Sequence, residues 1–245
     1  MQNKVAANLI TIPIADRMSI PMIAVEGGGF MMGGDRYDDE KPVHVVTLAP
    51  FEIGQYPVTQ GLWEWVMQEN PSFFKGATHP VEQVSWNDIQ VFLKKFNALP
   101  TINRLNEQQG RRFCLPTEAQ WEYAVRGGKH TLGFPYAGSH ELKEVGWFWI
   151  NSHEATKPIG LKLPNELGLY DMSGNVWEWC VDHWHSDYEN APKDGSAWTA
   201  GGNDARRVVR GGSWVNDDYN CRVSNRSSGD ADNWYHVIGF RLARY

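Results

Sequence analysis

Residues 210–245 open with Arg210-Gly211-Gly212-Ser213-Trp214 and close with Gly239-Phe240-Arg241-Leu242-Ala243-Arg244, followed by Tyr245. Between these ends runs VNDDYNCRVSNRSSGDADNWYHVI, residues 215–238, crowded with Asn, Asp, Ser, Tyr, Trp and His. Such side chains suit a contact surface and serve poorly as core. A rigid scaffold holding a polar and aromatic segment in place is how binding loops are usually built. The stretch therefore reads as a fixed frame around a variable-looking filling. It separates two readings of the chain, an enzyme and a binding protein.

Outward from this frame, the N-terminal half carries most of the regular signals. Residues 22–34, MIAVEGGGFMMGG, read as a strand, a glycine turn and a second short strand. Two further β-type runs flank Pro50. Thr59, Ser85 and Thr117 each stand where a helix N-cap belongs. The first is followed by a helical face of Leu62, Trp63, Val66 and Met67, and the second by Ile89, Phe92, Leu93 and Phe96. Thr117 with Gln120 fits a capping box, and Gly127-Gly128 ends that third helix. Beyond residue 128 helical periodicity fades into loops, aromatic clusters and short strands such as 207–210. The expected fold class is α+β with low regular secondary structure and two or three helices in the N-terminal half. No linker or repeat divides the chain, so a single domain over 22–245 is expected, preceded by an N-terminal extension, 1–21.

Bulk properties narrow the function. The chain has 245 residues, a formal net charge of −6 and no Lys/Arg run, which argues against nucleic acid as a partner. Twelve Trp among 13% aromatic residues suggest a compact, irregular fold with surplus rings at a binding face. Three cysteines, Cys114, Cys180 and Cys221, are an odd count with no CxxC pair, which argues against a disulfide framework. No apolar run approaches the ~18–20 residues of a membrane span. The opening MQNKVAANLITIPIADRMSIP is a poor secretion signal. A cytoplasmic location is the default expectation, and surface display by another route stays open.

Five signatures then occur in order: GGGFMMG, the segment around Val81 to Trp86, LPTEAQWEYAVRGG, Asp171-Met-Ser-Gly174-Asn-Val176-Trp-Glu178-Trp, and RGGSW…GFRLAR. Together they resemble the formylglycine-generating-enzyme domain, also called the sulfatase-modifying-factor domain, from about residue 22 onward. The resemblance implies a compact variant of the C-type lectin fold. In catalytic members two cysteines after the GGS turn bind copper and oxidise a substrate cysteine. Aligned on Gly211-Gly212-Ser213, Asn216 takes the place of the first cysteine and Cys221 that of the second. Cu(I) wants soft thiolate ligands, which an Asn amide does not supply. The resemblance thus implies no copper and no catalytic residues. The alternative is a copper-dependent or otherwise redox-active relative using Cys221. That cysteine also reads as a buried small residue or a partner to Cys180.

The frame further resembles the variable region of proteins diversified by retroelements, many of which carry this lectin-like domain. Their variable codons begin as Asn codons mutated at adenines, which reach Asn, Asp, Ser, Gly, Tyr, His and Val. Asn216, Asp217, Asp218, Tyr219 and Asn220 fall within that set, as do Ser227, Ser228, Asp230, Asn233, Tyr235 and His236. Trp234 fits an AGG codon turned to TGG, while Cys221-Arg222-Val223 and Asn225-Arg226 act as invariant punctuation. The bland alternative is an ordinary polar loop. On the diversified reading these residues form a ligand-binding surface over Trp214, itself either an aromatic floor or a core residue. Rigid aromatic anchors mixed with adaptable polar groups divide the work as antibody paratopes do. The partner is then an unknown macromolecule, protein or glycan.

A second signal concerns calcium. In the related enzymes a structural Ca²⁺ is held by the side chains matching Asp171 and Glu178 and the carbonyls matching Gly174 and Val176. Mixed hard oxygen donors of this kind are what Ca²⁺ takes. The competing reading has Asp171 capping backbone and Glu178 paired with an arginine. Arg210 and Arg241 are expected to support the frame, and Glu118 and Glu122 to serve packing rather than catalysis.

Overall fold

The computed structural model describes residues 8–16 and 18–245. Three sheets and a cluster of helices make up the architecture. β1 (Leu9–Ala15) and β2 (Met18–Val25) form an antiparallel hairpin. β3 (Gly28–Met32) pairs with β4 (His44–Leu48) as a separate ribbon, and β5 (Phe51–Gly54) returns to lie against β2.

Four helices of eight residues or more follow: α1 (Gln60–Met67), α2 (Trp86–Asn97), α3 (Pro100–Gln109) and α4 (Glu118–Val125), with β6 (Phe113–Cys114) before the last. A single turn, α5 (Leu142–Val145), precedes the second half. There β7 (Trp177–Trp184), β8 (Asn203–Arg210), β9 (Arg226–Asp230) and β10 (Ile238–Gly239) build the four-stranded sheet β10-β7-β8-β9. The chain returns as β11 (Ala243–Arg244) to complete the five-stranded sheet β1-β2-β5-β11-β6, where it pairs antiparallel with both β5 and β6.

The expected caps are in place. Thr59 accepts from the Leu62 N–H, and Ser85 and Thr117 each complete a reciprocal capping box with Asp88 and Gln120. Each box satisfies two of the N–H groups that a helix start leaves without partners. α2 ends at Asn97, just before Leu99-Pro100, and α3 is a helix that the sequence reading did not contain. Pro100 occupies the first turn of α3, where its missing N–H costs nothing. The boundary expected at residue 22 is also corrected, because it falls inside β2. Ile12, Ile14 and Ile20 are buried core residues, so the β1–β2 hairpin is part of the domain rather than an extension to it.

Two apolar clusters hold the layers together. In one, Trp63 stacks on Phe92 at 5.2 Å and Phe240 meets both rings edge-on, at 6.0 and 5.4 Å. The other gathers Ile23, Ile53, Trp121, Leu169 and Val208 between the sheets and α4. The frame is thus a core element. Phe240 and Leu242 are buried, and their carbonyls accept from the N–H groups of Val58 and Gly54. Gly239 admits no side chain, since a Cβ would collide with the Val81 carbonyl oxygen.

Candidate ligand-binding face

The two ends of the frame are anchored by buried arginines. Arg210, at the end of β8, gives one nitrogen to Glu118 at 2.7 Å and the other to Glu122 at 2.6 Å, both on α4. Arg226 adds a fork onto Glu118 at 2.6 and 2.9 Å, and Arg126 pairs with Glu122 at 2.8 Å. Burial alone would push the Glu118 carboxyl up; the Arg226 and Arg210 guanidiniums override it and hold it down at about 2. Arg241 forks onto both oxygens of Glu178 at 2.6 Å and also donates to the carbonyls of Gly54 and Tyr170. Arg222, inside the filling, pairs with the buried Glu40 at 2.5 Å. Paired bidentate geometry of this kind fixes orientation as well as charge.

On this base the filling divides into two groups. The first surrounds Trp214, whose ring is almost fully buried and whose Nε1 donates to the His236 carbonyl at 3.2 Å. Phe74 meets the Trp214 ring edge-on at 5.2 Å, and exposed His236 lies 5.8 Å from it. A cavity of about 480 Å³ opens there, lined by Phe73, Phe74, Trp149, Glu154, Trp214 and His236, with Gln83 and Val215 completing it. Gln83 also lines a second hollow of about 350 Å³, where Trp234 lies beside Met67, Glu69, Pro71 and Asp88. Trp234 is 65% exposed, and its indole N–H donates to Asp88 at 2.9 Å. The two hollows share Gln83 as a lining residue and together make up the aromatic groove beside the frame.

The second group stands apart from the groove. Asp217 precedes, and Asp218, Tyr219 and Asn220 occupy, a 3-10 turn running to Cys221, with both Asp side chains and Tyr219 exposed. Asn216 bridges the groups: its carbonyl accepts from the Trp149 N–H, while its side chain meets Ser213 at 2.6 Å and Asn220 at 3.5 Å. Ser227 and Ser228 sit half-buried on β9, paired to β8, with Asp230 exposed at the strand end. Asn233 donates to Asp230 at 3.0 Å, and the Tyr235 hydroxyl accepts from the Asp230 N–H at 3.2 Å.

Phe73, Phe74, Gln83, Trp149 and Glu154 were not among the residues expected from the sequence. They belong to loops far from the frame in the chain. Their one local signal is aromatic pairing without helical or strand period, in Phe73-Phe74 and Trp147-Phe148-Trp149.

Two positions carry the copper and calcium alternatives, and each has defined surroundings. All three cysteines are free thiols, and Cys221 is fully buried against Leu142, Val145 and Phe148. Burial raises its pKa, so the thiol holds its proton. The calcium donor set does not fit an ion as arranged. Both Glu178 oxygens are taken by Arg241, and one also accepts from the Trp121 Nε1 at 2.6 Å, so a guanidinium supplies the positive charge. Asp171 accepts from the Gly160 N–H at 2.7 Å, and burial pushes its carboxyl up to about 6. Gly174 and Val176 lie in the same buried turn. Among the described residues no group of three or more His, Cys, Asp or Glu side chains is placed to hold a metal ion. No described helix is long and apolar enough to cross a membrane.

A lectin-like scaffold with an arginine-anchored C-terminal frame defines the class of protein. The chain belongs to the sulfatase-modifying factor enzyme 1-like domain family, whose model matches residues 13–245. The fold is also similar to that of Treponema denticola variable protein 1, at a TM-score of 0.82 and 29% identity, covering 96% of this chain and 98% of that one. Among curated proteins, chaperone protein LppX of Paenibacillus barcinonensis is 35% identical over 93% of this chain and 90% of its own length. The formylglycine-generating enzyme of Streptomyces coelicolor is 30% identical, with 90% and 88% covered. Relatives therefore include both enzymes and proteins of other kinds.

Proposed function

We propose that this protein is a non-catalytic binding protein, a lectin-fold scaffold whose diversified C-terminal face contacts a macromolecular ligand. The observation that carries this reading is the sorting of the filling. Residues drawn from the adenine-reachable set, among them Asp217, Asp218, Tyr219, Asp230, Asn233 and His236, stand exposed, with Trp234 beside them. The punctuating Arg222, Val223, Asn225 and Arg226 are turned into ion pairs or burial. A loop that is polar for no reason beyond solubility has no cause to sort this way. Asn216 in a thiol's place and the protonated, buried Cys221 weigh against the copper-oxidase alternative. The likeness to a variable protein supports the reading, and a relative named as a chaperone is in keeping with work done by contact.

Two measurements test it. Sequencing the DNA around the gene should reveal a reverse-transcriptase gene and a near-copy of the codons for residues 210–245, differing at adenines; differences scattered over other bases sink the diversified reading. Oxygen uptake with a cysteine peptide and Cu(I) should match the protein-free control. Uptake above it, lost in Cys221→Ser, restores the enzyme.

A further inference from the structure

The groove has a charge pattern that narrows its ligand. Its lining holds three carboxylates, Glu69, Asp88 and Glu154, and neither lysine nor arginine. Glu69 and Glu154 are exposed and have no ion pair among the described residues. The hydrogen bonds accepted by the Asp88 side chain, from Ser85 and Trp234, all land on Oδ2. Beyond the groove the filling adds exposed Asp217, Asp218 and Asp232, and Asp230, which Arg206 meets at 3.6 Å. The filling's two arginines are turned inward, to Glu40 and Glu118. Lys75, on the loop behind Phe74, gives its ammonium to the Asn70 carbonyl at 2.7 Å. Between the carboxylates stand the rings of Phe73, Trp149 and Trp234, which are 67%, 53% and 65% exposed.

Aromatic faces flanked by unpaired carboxylates attract organic cations twice over, through the ring quadrupole and through charge. Glu154, which lines the larger hollow, and His153 before it are successive non-glycine residues in left-handed backbone, at φ 58° and 51°. We infer that the ligand, on the binding reading above, is a polypeptide that lays lysine or arginine side chains along this groove. The basic groups sit over Trp149 and Trp234 and pair with Glu154 and Glu69. A polypeptide fits better than a lone cation because there are two hollows, of about 480 and 350 Å³, that share Gln83 in their linings and each have room for a side chain.

Selection of a random linear peptide library on the immobilised protein tests the assignment. Selected peptides should be enriched in Lys and Arg over the unselected library. In fluorescence polarisation they should bind about tenfold more weakly to Glu69→Gln/Glu154→Gln, and again when their arginines become citrulline. Both substitutions are on the surface and keep shape, so the fold persists. Peptides without basic enrichment, or indifferent to the loss of Glu69 and Glu154, overturn the cation assignment; if they still weaken with Trp234→Ala or His236→Ala, the binding face itself stands. A library yielding no peptide, while a glycan array yields ligands lost in Trp234→Ala, overturns the polypeptide. Ligands indifferent to Trp149, Trp234 and His236 alike defeat the binding face as well.

Discussion

Arg241 and Arg210 look alike, each a fully buried guanidinium at one end of the frame, yet their surroundings make them unequal. Without Arg241, Glu178 keeps only the Trp121 N–H. Without Arg210, Glu118 keeps Arg226 and Glu122 keeps Arg126. An uncompensated buried charge costs about 3–5 kcal/mol. Arg241→Met should therefore approach that loss in urea unfolding, and Arg210→Met should fall clearly short of it. Equal losses would mean the α4 carboxylates do not share their partners. Glu82 gives a pH-dependent counterpart. Its Oε1 accepts from the Phe74 N–H at 2.8 Å and its Oε2 is buried without a partner among the described residues. Burial pushes this carboxyl from 4.5 up to about 7. A raised folded pKa means the stabilising contribution is full below the unfolded value and is lost as pH rises through the folded one. Relative to wild type, Glu82→Gln should therefore gain stability between about pH 5 and pH 8, read by denaturant midpoints at each. A constant difference across that range would remove Glu82 as the titrating group.

Ser85 caps α2 while Asp88, its reciprocal partner, also accepts from Trp234. Ser85→Ala should cost roughly 1 kcal/mol of stability, and Trp234 fluorescence should shift as its anchor loosens. Caps of this kind were legible in the sequence because they depend on residues three apart. So were the apolar faces of α1 and α2 and the strands beside the glycine turn at 26–29, whereas β1 and β7 were not. α3 was not, since Pro100 starts one helix as readily as it stops another. β10 and β11, two residues each, have no period to read; they are strands because distant partners make them so.

For the whole molecule, the proposed binding role puts recognition and stability on separate residues. Exchanging Asp217, Tyr219, Trp234 and His236 for other side chains should change ligand choice while each moves stability by no more than about 0.5 kcal/mol. Arg222→Ser and Arg226→Ser should both destabilise, because Glu40 and Glu118 lose buried partners. Differential scanning calorimetry on the two sets separates them. The half of the site carried by the frame was visible in the sequence as a residue set bounded by fixed ends. The half made by Phe73, Gln83, Trp149 and Glu154 was not, because only folding brings those loops to the frame. β11 adds a consequence in the order of synthesis. The sheet keeps a place for it between β5 and β6, strands made long before it. A ribosome must read through the whole filling before that place is taken. A chain broken off within the filling leaves the facing edges of β5 and β6 without the strand that pairs them. The scaffold sheet therefore closes only after every residue of the proposed contact face has been made.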